Sequence, residues 1–141
     1  MRVVGIDLGS KRIGIAVSDS DESVATPYEV IHRSGDIDQD HRRIFEVVAE
    51  IEAGCIVVGL PLSLDGSVGK AAQQTLDEAT RLRATTDLPV ETYDERLTTV
   101  TADRSLMELD LKADERRKVV DMVAAAVMLQ AWLDHRANAT D

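Results

Sequence analysis

Residues 55–60, Cys-Ile-Val-Val-Gly-Leu, form an apolar run with no polar residue in it. A strand with one wet face alternates apolar and polar residues. A continuous apolar run of this length is instead expected of a strand buried on both faces. Such a strand needs helices above and below it, which is the layered α/β arrangement. The chain supplies the other parts. Residues 2–9 and 12–18 are rich in Val and Ile and flank the short turn Gly-Ser-Lys, which predicts a hairpin. Residues 25–32 (ATPYEVIH) read as a shorter third strand, with Pro27 near its start as an edge strand allows.

Apolar positions Ile44, Phe45, Val47, Val48 and Ile51 recur at helical spacing and predict a helix over 38–52. A polar helix is expected over 67–84, with Ala72, Leu76, Ala79 and Leu82 inward. A fifth strand is expected at 88–95, a Thr-capped helix at 98–110, and a last helix over 113–135 before a frayed end. The loop 61–69 holds Pro61, Gly66 and Gly69 and is expected to be mobile. Two hairpins followed by strand–helix alternation imply a five-stranded mixed sheet, three strands antiparallel and then parallel strands, flanked by helices. That is the element order of a ribonuclease H-like α/β fold. A chain of 141 residues suits one such domain over 1–141.

Aromatic residues make up 3% of the chain, so the core must be aliphatic. The single cysteine, Cys55, excludes an intrachain disulfide and reads as a small buried hydrophobe. No apolar run is long enough for a bilayer and no leader is evident, so no membrane partner is expected and the expected compartment is the cytoplasm. The net charge is −10, from 26 acids against 16 bases. Taken alone, that argues against nucleic-acid binding, which needs local positive charge. Where each base sits therefore matters more than the total.

Acids stand at three places where acids are costly. Asp7 lies between Ile6 and Leu8 in a strand otherwise ready for burial, and burying an unpaired carboxylate costs several kcal/mol. Asp94 and Glu95 end the fifth strand. Alternation puts Asp94 with Val90 and Thr92 on one face, and Glu95 with Glu91 and Tyr93 on the other, without saying which faces a cleft. Asp121 is the one charge in VVDMVAAAVMLQAWL. A helix apolar nearly all round is buried, and Asp is rarely buried unless paired. Lys118, one turn back, is the simple candidate partner, while the small Ala124 and Ala125 would let the helix approach the sheet closely.

Central strands end near one another, and the last helix packs across that edge. Acids converging there would repel and raise one another's pKa. A hard divalent cation, Mg²⁺ or Mn²⁺, held by Asp7, Asp94 or Glu95, and Asp121 resolves the repulsion and equips the site for phosphodiester hydrolysis. The three glycines of the first hairpin, Gly5, Gly9 and Gly14, suggest that backbone or a ligand comes close there. Bases also cluster locally: Lys11 and Arg12 in the first turn, Arg96 beside Glu95, and Arg116, Arg117 and Lys118 before Asp121. Such a rim around an acidic centre suits phosphate contacts.

Four stretches in order, VGIDLGSKRIGIAVSD, VVGLPLSLDGS, DERLTT and KVVDMVAAAVMLQ, resemble the motifs of the YqgF/RuvX family within the ribonuclease H-like superfamily. The resemblance covers nearly the whole chain. It implies a metal-dependent nuclease with Asp7, Glu95 and Asp121 as catalytic acids, Asp94 in the same motif as Glu95, and Arg96 and Lys118 as phosphate contacts. It also implies a nucleic-acid substrate: precursor 16S ribosomal RNA, matured at its 5′ end, or branched DNA cut as a Holliday junction. Cleaving a junction would require paired sites, hence a homodimer, whereas trimming a strand would suit a monomer. Ser63 stands where many members carry Asn, a departure confined to the second loop.

Other chemistries lack their residues. GSVGK is no phosphate-binding P-loop, because Leu64 occupies the place of the first Gly and Ala71 that of the Ser or Thr. His32, His41 and His135 have no metal-ligand spacing, and no Gly-x-Ser-x-Gly elbow occurs. DLGSKRIG also resembles the phosphate hairpin of sugar kinases and actin-type ATPases, but those need two related domains, and this chain is too short. A non-catalytic ribosome-assembly adaptor on the same fold is the alternative of another class, and the complete set of acids argues against it.

Overall fold

The computed structural model describes residues 1–97 and 113–139. β1 (Arg2–Leu8), β2 (Arg12–Ser18) and β3 (Ala25–His32) form two antiparallel hairpins, and β4 (Ala53–Leu60) and β5 (Val90–Asp94) continue the sheet in parallel on the other side of β1. The strand order is β3-β2-β1-β4-β5, as expected of a ribonuclease H-like mixed sheet. Among the described residues three helices cover it: α1 (Ile37–Glu50), α2 (Lys70–Thr85) and α3 (Ala113–Ala139). Among the described residues no helix is long and apolar enough to cross a membrane.

The continuous apolar run behaves as its composition demands. Ile56 and Val58 point to one face, where they meet Ile44 and Val47 of α1 and Leu82 of α2. Cys55 and Val57 point to the other, where they meet Met128, Leu129 and Trp132 of α3. β1 alternates in the same way: Val4 and Ile6 go to the α1–α2 face and Val3 to the α3 face. Asp36 caps α1 by accepting the N–H groups of Asp38 and Gln39, which satisfies donors the first turn leaves open. The Gln130 side chain ties α3 to the sheet margin, accepting from Ala25 N at 2.8 Å and donating to Ser23 O at 2.9 Å.

Several boundaries differ from expectation. β4 begins at Ala53 and α2 at Lys70. β5 stops at Asp94, and Glu95–Leu97 make a 3₁₀ turn. α3 runs on to Ala139, so Asn138 and Ala139 are helical rather than frayed. In α2 the buried stripe is Ala72, Thr75, Ala79 and Leu82, while Leu76 is half-exposed. The stretch 61–69 is a bonded turn, with Ser63 N donating to Ser67 O, Gly66 N to Ser63 O, and Ser67 to the Asp65 carboxylate. Gly66 has φ +87° there, a left-handed conformation that suits glycine. The helix expected at 98–110 lies outside the described residues.

Candidate active site

Small residues decide where the acids meet. Asp7 of β1 lies opposite Gly14 of β2. A Cβ on Gly14 would run into the backbone carbonyl of Asp121, and one on Gly5 would sit 2.8 Å from Leu129 Cβ. The first hairpin's glycines thus admit the backbone of α3. Ala125, one turn after Asp121, is fully buried against the same face. This close approach brings Asp121 of the helix beside Asp7 of the strand. A further glycine, Gly59 at the end of β4, leaves the space that Glu95 fills, since a Cβ there would collide with the Glu95 carboxylate.

Asp7 and Glu95 share a hydrogen bond, and both titrate high. Burial is the main cause for Asp7, with the Asp121 charge adding to it and the bond from Glu95 opposing, and its pKa is pushed up to about 6. Burial also leads for Glu95, followed by the charge of Asp7 and the bond to it, and its pKa is pushed up to about 8. Both shifts have the same sense: the two carboxyls favour sharing a proton over carrying two charges side by side.

Asp121 pairs with the Nε of Arg12 at 2.5 Å, both side chains being about four-fifths buried. The partner is thus a base 109 residues away in sequence, not the neighbouring Lys118, whose side chain lies outside what the structure describes, as do those of Arg116 and Arg117. Asp94 does not join the other acids. It accepts three bonds from the Arg96 side chain at 2.6–3.1 Å, and these hold its carboxyl below the usual range. Alternation leaves Asp94 and Glu95 open; Glu95 begins the 3₁₀ turn, and its carboxylate fills the space beside Gly59. Arg96 also reaches Leu64 O at 3.4 Å, joining the turn 61–69 to the site. Lys11 is exposed at the tip of the β1–β2 turn.

A cleft of about 310 Å³ opens beside Asp7 and Glu95, walled by Gly9, Ser10, Arg33, Gln74 and Glu78 among others. Arg33 and Glu78 escaped the sequence reading. The available signal was His41, which with Asp40 is buried on the apolar face of α1, where a polar side chain needs a partner. A larger cavity of about 530 Å³, lined by Cys55, Glu91, Trp132 and His135 among others, lies toward the far end of α3. It lacks the carboxylate pair, and burial pushes the Cys55 thiol up to about 11, consistent with an inert core residue.

No three ligand-type side chains stand together as a ready cage among the described residues, because Asp121 is engaged with Arg12 and Asp94 with Arg96. The donor set nevertheless fits a hard divalent cation. Two half-buried carboxylates share a hydrogen bond, and a third lies near enough to act on the first.

The mixed sheet and its helices make the ribonuclease H-like fold, with Asp7 and Glu95 beside a cleft at the strand ends. The chain belongs to the RuvX family, whose model, described as Holliday junction resolvase, matches residues 1–135. A protein of Mycobacterium sp. (strain KMS) with the provisional name pre-16S rRNA nuclease is 46% identical over 139 residues, covering 98% of this chain and 82% of that one. Proteins of the same name from Rhodococcus opacus (strain B4) and Desulforamulus reducens are 48% and 39% identical, covering 99% and 98% of this chain and 81% and 100% of theirs. Among solved structures, Thermus thermophilus RuvC in complex with Holliday junction substrate superposes with a TM-score of 0.59 at 19% identity, covering 97% of this chain and 96% of that one. The yeast mitochondrial Holliday junction resolvase Ydc2 gives 0.57 at 12%, covering 98% and 80%. At these identities the likeness is one of fold.

Proposed function

We propose that the chain is a metal-dependent nuclease that trims precursor 16S ribosomal RNA toward its mature 5′ end, with Asp7, Glu95 and Asp121 as its catalytic acids. The observation that carries this reading is the hydrogen-bonded pair of half-buried carboxylates, Asp7 and Glu95, at the wall of an open cleft. Such a pair costs stability once it loses its proton with no cation in its place, and functional sites are where such arrangements concentrate. Mg²⁺ or Mn²⁺ held by Asp7, Glu95 and Asp121 would supply the polarisation of the phosphodiester that carboxylates alone cannot.

The chain's own groups have distinct parts. Asp7, set in a strand, is a rigid oxygen donor. Glu95 would release its proton to solvent and hold a cation with Asp7. Arg12 neutralises Asp121 in the metal-free protein and is placed to turn to a substrate phosphate once Asp121 is engaged. Lys11 and Arg96, with Lys118, form the phosphate-contacting rim, so that an acidic protein binds nucleic acid through a few local contacts. Asp94 orients Arg96 and is not a ligand in this reading.

The RNA substrate rests on the names of the relatives, and junction DNA rests on the family description and the RuvC-like fold. Side-by-side cleavage of precursor 16S RNA and four-way junction DNA, with Mg²⁺ or Mn²⁺, separates them. Cleavage of the RNA by a monomer supports the proposal. Paired nicks in the junction by a homodimer would replace it with the resolvase reading, and cleavage of neither would favour an adaptor.

A further inference from the structure

The cleft has a second charged cluster that the cutting chemistry does not use. Arg33 directly follows β3. Its backbone N–H donates to Lys11 O at 3.0 Å, and its Nε donates to Gly9 O at 2.9 Å. Its two terminal nitrogens donate to the two oxygens of Glu78 on α2, each at 2.9 Å. His41 Nε2 of α1 meets Glu78 Oε2, the oxygen that Arg33 Nη1 also reaches, at 2.7 Å. These side chains are 18%, 11% and 6% exposed for Arg33, Glu78 and His41. All three nitrogens of the guanidinium thus donate to protein acceptors, through three of its five N–H groups. A buried ion cluster of this kind is also not the most stable way to fill the space, since apolar residues of the same shape do as well or better. The question is what it holds.

It holds the β1–β2 turn. Both of Arg33's bonds to that turn fall within the residues separating Asp7 from Arg12, and Gly9 N in addition donates to Asp7 O at 3.1 Å. The turn is tight, since a Cβ on Gly9 would lie 2.6 Å from Arg12 O. Asp7 and Arg12, on its two flanks, are the groups that meet Glu95 and Asp121. Like charges at the strand end push the turn to open, and the bidentate Arg33–Glu78 pair anchors it to α2 against that push. Resting on the reading of Asp7 and Glu95 as the cutting site, we infer that Arg33, clamped by Glu78 and His41, is a positioning residue that fixes the β1–β2 turn and so sets Asp7 and Arg12 in register with Glu95 and Asp121.

The test uses the full chain with Arg33→Ala and Arg33→Lys. Mn²⁺ binding followed by electron paramagnetic resonance should weaken by about 10- to 100-fold, the usual effect of removing a group that orients a metal ligand. In cleavage assays kcat should fall with KM nearly unchanged. Arg33→Lys should not rescue, because an ammonium cannot reproduce the fork. Amide exchange at residues 9–11 should speed up while that of β4 stays slow. If Arg33→Ala does not fold, Glu78→Gln, which keeps the shape and removes the charge, should show the same changes in smaller degree. A raised KM with kcat and Mn²⁺ affinity intact would overturn the inference and make Arg33 a substrate contact. Unchanged exchange in the turn would overturn it whatever the metal does. If the wild type itself binds no Mn²⁺, the cutting-site reading fails, and the exchange data alone decide whether Arg33 holds the turn.

Discussion

The two faces of the sheet are packed by opposite means. On the α1–α2 face, bulky aliphatics fill the space: Ile6, Ile13, Ile15 and Ile56 meet Ile44 and Leu82. On the α3 face the sheet offers Gly5, Gly14 and Ala16, and the helix answers with Ala125. The first face keeps its helices at side-chain distance and has only to be stable. The second brings helix backbone against strand backbone, and that is where Asp121 comes beside Asp7. The contrast teaches that the site follows from packing: small residues on one face convert a core contact into a meeting of acids.

The largest expected effect separates the two acids of one motif. Glu95→Gln should drop cleavage to background with the fold intact, whereas Asp94→Asn, which only loosens an exposed pair with Arg96, should leave most of the activity. Equal losses would mean that the face set by Gly59 is not the working face. Next, Ile44→Ala on the bulky face should cost about 2–5 kcal/mol of stability, while the protein that remains folded cuts at the normal rate. Gly14→Ala should cost less, about 1–3 kcal/mol from overpacking, yet should impair cleavage far more, because it moves Asp121. Denaturant melts paired with rates per folded molecule would show whether stability and activity divide between the faces in this way.

A smaller effect, in pH, sharpens the contrast within the cleft. Asp7 and Glu95 bind protons more tightly folded than unfolded, since their pKa values rise from 3.8 and 4.5 to about 6 and about 8. Their contribution is therefore fully present below the ordinary carboxyl range and is lost as pH rises through 6 and 8. Glu78 runs the other way. Burial opposes its charge, but the bonds from His41 and Arg33 outweigh that and lower its pKa, so its contribution is lost as pH falls below the ordinary range. Melting in chelator should show wild-type stability declining from about pH 4 to 8; Glu95→Gln should lose the part of the decline that Glu95 supplies and keep the part that burial of Asp7 supplies.

Much of the fold was legible because its signals are local. The paired Val/Ile runs of β1 and β2 and the stripe of α1 each lie within a few residues. The site was legible as a set of acids out of place, since Asp7 and Asp121 interrupt apolar runs. Their partners were not legible. Arg12 meets Asp121 across most of the chain, and only the glycine-lined approach of α3 makes that meeting, so the nearer Lys118 stood as the candidate. The choice of Glu95 over Asp94 needed the space left by Gly59, a property of the neighbouring strand. The Arg33–Glu78–His41 cluster draws one residue from each of three separate segments, and no spacing along the chain could reveal it.

The central claim is that the Asp7–Glu95 pair, strained without a cation, is built to receive one. The most direct test is the melting temperature of wild type and Asp7→Asn at pH 8 across a Mg²⁺ titration. The account predicts that the wild type rises with millimolar Mg²⁺, and that Asp7→Asn starts as high or higher in chelator and does not respond. No rise in the wild type, or an equal rise in both, would contradict it.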